Sequence, residues 1–171
     1  MATYIMHATG DRQYAIQYFD KIFLPIQQLI DLDILLNQEL EKHLQEVQPT
    51  TEIDESEIPR IEPLLDYSKK MLDFINQKLS ASHSIEVYNN ENELKRAYIL
   101  LLEEYRRQLL GTFNEIVFFL QKEEENEYDF EMFNQLLIVW QSTLDKALEG
   151  FYKIVSTYAL RYGIELNENS E

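Results

Sequence analysis

Apolar residues recur along this chain at steps of three and four, the period of a helix with one buried face. Between Asp11 and Gln48 the series is Ala15, Phe19, Ile22, Ile26, Leu29, Leu36, Leu40, Leu44 and Val47. Asp11 is placed to cap this helix, because its carboxylate can accept from free backbone N–H groups. Residues 1–10 then read as an N-terminal arm. Pro25 lies inside the series, removes one backbone donor and crowds the preceding turn, so a kink or break is expected near Lys21–Leu24. Pro49 ends the helix.

Residues 49–62 carry Pro49, Pro59, Glu52, Asp54, Glu55, Glu57 and Glu62, opposed by Arg60 alone, and read as an exposed acidic connection. Pro63 suits the first position of a second helix. Its stripe of Leu64, Tyr67, Met71, Phe74, Ile75 and Lys78 runs to about Ala81. Residues 82–89 form a loop, with Ile85–Tyr88 able to run extended. Asn90 and Glu93 have the spacing of a capping box that opens helix three. Its stripe is Leu94, Tyr98, Leu101, Tyr105, Leu109, Thr112, Ile116 and Phe119, and the helix is expected to end near Glu125 or Asn126. Asp129 then caps helix four, with Tyr128 and Phe133 spaced as a hydrophobic staple. This helix has the cleanest period: Phe133, Leu137, Trp140, Leu144, Ala147, Phe151, Val155, Tyr158 and Tyr162. Gly163 ends it as a left-handed residue, and 164–171 read as a loose tail.

Helices three and four would each span roughly 50 Å at 1.5 Å per residue. The few residues between them force an antiparallel pair. The expectation is therefore all-α: one domain over 1–171, an antiparallel four-helix-type bundle with three long helices and one shorter, and helix one kinked or broken at Pro25.

Composition supports this reading and narrows the chemistry. At 171 residues and 45% apolar, the chain can bury a sizeable core, and four Gly with four Pro are too few for the turns of an all-β fold. The absence of Cys excludes disulfides and thiolate metal sites and fits a reducing compartment. The N-terminal residues lack a basic, then apolar, signal segment. Apolar runs stop far short of the ~20 residues that span a bilayer. A cytoplasmic protein with no membrane contact is expected. Fifteen basic against 31 acidic residues leave a net charge of −16, which disfavours direct binding to nucleic acid or an anionic membrane and favours a protein partner with a basic surface.

Two features exceed what a bundle needs. Five consecutive apolar residues encircle a helix, and this happens at Tyr98–Leu102, Ile116–Leu120 and Leu136–Trp140. With the turn at Glu127, the second and third runs meet at one level, about 15 Å from that turn. Val117, Phe118, Ile138 and Val139 thus form an apolar girdle. Either helices one and two cover it, or part of it faces a partner chain, a second copy included. The other feature is the acidic tip Glu123, Glu124, Glu125, Glu127, Asp129 and Glu131. Asp129 and Glu131 suit the positive start of a helix, whereas Glu123–Glu125 crowd the negative end of another. The tip is either a solvated turn or a surface for basic residues.

Catalytic constellations are missing. His7, His43 and His83 form no H-E-x-x-H or Glu-x-x-His arrangement. Glu39 and His43 share a helix face but offer only two ligands, so no metal is assigned. Glu52-x-x-Glu55 has a Mg²⁺-ligand spacing but sits in the proline-bearing connection. No serine elbow, cysteine nucleophile or glycine-rich phosphate loop exists. The eleven tyrosines fall mostly on core edges. No cofactor is expected. The leading expectation is a non-catalytic protein-interaction module: an adaptor, regulator, inhibitor or immunity-type protein. The alternatives are a nucleic-acid-mimicking inhibitor and, last, a carboxylate-metal hydrolase.

Overall fold

The computed structural model describes residues 2–46, 60–121 and 127–166, with the side chains of 2–9, 45–46 and 127–129 outside the description. Its elements are α1 (Ala2–Glu46), α2 (Ile61–Ser82), a 3₁₀ turn (Tyr88–Asn90), α3 (Asn92–Gln108), a π-helical turn (Leu109–Phe113), α4 (Asn114–Leu120) and α5 (Glu127–Tyr162). The stretch from α3 through the π turn to α4 is one continuous rod, so four helices pack against one another. There is no strand among the described residues. No helix there is long and apolar enough to cross a membrane.

The apolar stripes explain the packing. α1 packs on α2, α2 on α3 and α3 on α5, while α1 meets α5 along a looser seam. Ala15, Phe19, Ile22, Ile26, Leu29, Leu36 and Leu40 of α1 are all buried, as the spacing predicts. So are Trp140, Leu144, Phe151, Val155 and Tyr158 of α5. Polar ties fix the direction in which these stripes meet. The Tyr158 hydroxyl donates to the Ala15 carbonyl at 3.3 Å, and Trp140 Nε1 donates to Asn37 Oδ1 at 3.4 Å. Positions on α1 and α5 therefore pair in opposite order. Arg12 Nη2 donates to the Gly163 carbonyl at 2.8 Å and holds the same two helices together beyond Tyr158.

Helix one differs from expectation at its start. It begins at Ala2, so residues 2–10, read as an arm, continue the helix, and Asp11 lies inside it. It also runs through Pro25 without a break. A mid-helix proline costs ~3 kcal/mol or more. Fully burying an isoleucine yields about 1.5–3 kcal/mol, and Ile22 and Ile26 on either side are both fully buried. The two residues together offset the defect. Of the connection expected at 49–62, residues 61 and 62 are already helical and 47–59 lie outside the described residues.

The junction before α3 is also rebuilt. Asn89 and Asn90 adopt φ of 52° and 61°, which asparagine tolerates better than most residues. Glu91 takes the N-cap position without a side-chain cap hydrogen bond, so the Asn90–Glu93 capping box does not form. At the far end, Gly163 has φ 62°. Ile164 N–H donates to the Ala159 carbonyl at 2.8 Å and Gly163 N–H to the Leu160 carbonyl at 3.4 Å, the paired bonds of a Schellman motif. Ile164 and Leu166, read as loose tail, instead pack on the core, and 167–171 lie outside the described residues. α5 starts at Glu127, which places Asp129 within its first turn rather than at its cap.

Candidate functional site

The π turn lies just before the girdle residues of α4. It holds one residue more than an α turn, which displaces the apolar stripe by one at the turn itself. Leu94, Tyr98, Leu101, Tyr105 and Leu109 are buried as expected, but the next fully inward residue is Phe113, not Thr112. The Phe113 ring lies 5.2 Å from that of Trp140. Beyond it Ile116 stays fully buried as expected, Val117 turns inward beside it at 7% exposure, and Phe118 stays outward at 64%. Val117 therefore belongs to the core and is withdrawn from the candidate partner face. On α5, Ile138 is 66% and Val139 47% exposed. The Phe119–Phe133 and Phe113–Trp140 ring contacts place α4 beside this part of α5, so Phe118 and Ile138 lie within about one helical turn of a common level.

Of the acidic tip, Glu123–Glu125 lie outside the described residues, as do the side chains of Glu127 and Asp129. Glu131 is exposed. The Glu39–His43 pair has a structural role. His43 is buried, with Nδ1 2.9 Å from the Glu39 carbonyl and Nε2 3.3 Å from the Arg60 carbonyl. Both ring nitrogens face backbone oxygen, and the residue links the end of α1 to the start of α2. Glu39 turns instead to Lys42, 2.6 Å away. Among the described residues, no three of His, Cys, Asp and Glu are placed to hold a metal ion.

A second site lies on the α1–α5 seam. Asp33, Asn37, Leu40, Glu41 and Leu44 face Leu137, Trp140, Gln141, Leu144 and Asp145 across a cavity of about 320 Å³. Its wall is a hydrogen-bonded chain. Trp140 Nε1 donates to Asn37 Oδ1; Asn37 Nδ2 donates to Asp33 Oδ1 at 3.1 Å; the Tyr105 hydroxyl donates to Asp33 Oδ2 at 3.1 Å. Burial pushes the Asp33 carboxyl up to about 6, against the pull of the Tyr105 and Asn37 hydrogen bonds, and nearby Asp145 adds to the rise. Burial, with Asp33 beside it, also raises the Tyr105 phenol well above its ordinary value. Among the described residues, no lysine or arginine forms an ion pair with Asp33, Glu41 or Asp145.

Sequence reasoning passed over this site, although α1 carries a signal for it. Steps of four and three from Ile22 land on Ile26, Leu29, Asp33, Leu36 and Leu40. Asp33 occupies a slot where the stripe calls for an apolar residue, and a local rule broken this way points to a site. The partners that make it one, Tyr105, Trp140 and Asp145, come from other helices and carry no such mark. No protein-family model, curated protein or solved structure matches this chain.

Proposed function

We propose that this chain is a non-catalytic protein-interaction module of the adaptor, regulator, inhibitor or immunity type, acting in the cytoplasm. In this reading the four helices form an antiparallel four-helix-type bundle with α1 bent at Pro25. The bundle serves as a rigid support for a docking face on α4 and α5. One observation carries the proposal: Phe118, Ile138 and Val139 stay largely exposed at neighbouring levels of two adjoining helices. Large apolar side chains gain by leaving water, about 25 cal/mol per Å², and a partner chain or a second copy supplies that cover. The net charge of −16, with the acidic tip from Glu123 to Glu131, favours a partner with a basic surface and speeds the encounter.

The test is a paired substitution, Phe118→Ser with Ile138→Ser. Exposed sites of this kind normally change stability by no more than about 0.5 kcal/mol either way. The variant is expected to keep its unfolding midpoint while losing self-association in sedimentation, or losing a partner captured by the unsubstituted chain. If the unsubstituted chain is a strict monomer and the variant captures the same partners equally well, the docking face is refuted. Displacement of the partner by DNA or RNA would instead favour the nucleic-acid-mimicking reading, for which the charge is the supporting observation.

A further inference from the structure

We propose that the seam between α1 and α5 is a pH-operated clasp: with Asp33 ionised its Trp140 end parts and admits water, and with Asp33 protonated that end closes, while the Ala15–Tyr158 end stays shut. The seam is fastened unevenly. At one end the Arg12 guanidinium donates to the Gly163 carbonyl at 2.8 Å, the Tyr158 hydroxyl donates to the Ala15 carbonyl, and the Phe23 ring meets that of Tyr152 at 6.4 Å. At the other end the two helices stand across a cavity of about 320 Å³. The hydrogen bond that joins them there, from Trp140 Nε1 to Asn37 Oδ1, is the longest of its chain at 3.4 Å. The two bonds on Asp33 are 3.1 Å each and come from Asn37 of its own helix and Tyr105 of α3. Parting of α1 from α5 therefore loses one long bond and keeps both partners of Asp33.

Charge on Asp33 drives the parting. Burial is the larger cost of ionising it and Asp145 the smaller, so the carboxyl holds its proton up to about 6. The groups facing it are Asn37 from α1, Tyr105 from α3 and Asp145 from α5, with Glu41 and Gln141 lining the same cleft. Burial and Asp33 itself keep the Tyr105 phenol protonated. Among the described residues, no lysine or arginine pairs with Asp33, Glu41 or Asp145. Water entering a parted seam removes the burial cost. By linkage, ionisation favours the open arrangement as strongly as the closed one disfavours ionisation. A protonated carboxyl adds an O–H donor while keeping acceptor capacity, and α5 offers acceptors in Asp145 and Gln141, which draws the helices together. This assignment does not depend on the Phe118–Ile138 face.

Trp140 is the one tryptophan of the chain and stands at the moving end. As pH rises from 5 to 7.5, its emission is expected to shift to longer wavelength and its quenching by acrylamide to increase, with midpoints near the Asp33 value of about 6. Helix content by circular dichroism should stay constant. In Asp33→Asn, whose amide cannot ionise and carries a donor as the protonated carboxyl does, emission and quenching should stay at their pH 5 values. Asp145→Asn should lower the midpoint. The chain has no Cys, so spin labels on Gln38→Cys and Ser142→Cys attach at those positions alone. Their separation should lengthen from pH 5 to 7.5 by about 1–2 Å, the size of helix shifts at switching interfaces, and not at all in Asp33→Asn. Emission and separation that are flat with pH overturn the proposal, as does a transition that persists in Asp33→Asn or comes with loss of helix. So does an emission shift without greater quencher access or a longer separation, which would be the Asp33 charge acting on the indole with no movement.

Discussion

Asp33 is the residue at which local pattern and environment disagree most. Its slot on α1 is a core slot, yet it holds a carboxyl kept up to about 6, mainly by burial. An unfolded aspartate titrates near 3.9. Between these values the folded chain holds a proton that the unfolded chain has lost, so stability falls as pH rises through that window. The contribution is fully present below about pH 4 and gone above about pH 6, and two pKa units amount to about 3 kcal/mol at most. Asp33→Asn removes the titration while keeping an acceptor for the Tyr105 hydroxyl. The variant is expected to be more stable than the unsubstituted chain near pH 7.5, with the advantage shrinking towards pH 4.5. Urea unfolding at the two pH values measures this. An advantage equal at both would show that Asp33 stays ionised in the fold across that interval and would contradict the raised pKa.

At the scale of elements, two glycines of α5 have opposite demands. Gly150 sits inside the helix, exposed, with nothing within 4 Å of an added Cβ. Gly150→Ala is expected to stabilise by about 0.5–1 kcal/mol through the lower backbone entropy of the unfolded chain. Gly163 has the same open surroundings but φ +62°. Gly163→Ala is expected to destabilise by about 1–2 kcal/mol, because a Cβ in the left-handed region crowds the carbonyl and weakens the motif that turns Ile164 onto the core. Thermal unfolding of the two variants should move in opposite directions, and a shared direction would contradict this account. The π turn between α3 and α4 is the other decision at this scale. Its extra residue exchanges Thr112 for Phe113 in the core, and beyond it buried Val117 lies next to exposed Phe118. Periodicity at 100° per residue carries no trace of it, since either register presents apolar side chains over Ile116–Leu120.

At the scale of the whole molecule, charge opposes compaction. Fifteen cations against 31 anions give −16, so the folded chain repels itself. Raising salt from about 10 mM to about 200 mM shortens the Debye length from ~30 Å to under 10 Å. The unfolding midpoint is expected to rise over that range, as measured by circular dichroism. A fall would mean that ion pairs such as Arg161–Glu91, at 2.9 Å, contribute more than the repulsion removed.

What the order of residues determined by itself was every property set within a turn or two of helix. The stripes of α1, α2 and α5, the left-handed stop at Gly163 and the all-α class follow from spacing, because each depends on which side chains share a face. Tertiary structure alone decided the rest. It carried α1 through Pro25, since Ile22 and Ile26 are buried by other helices. It drew Val117 inward beside Ile116. It assembled Asp33, Asn37, Tyr105, Trp140 and Asp145 around one cleft. Those residues are up to 112 positions apart. Only the packing of separate helices makes them neighbours, and the burial it imposes is the main cause of the raised affinity of Asp33 for its proton.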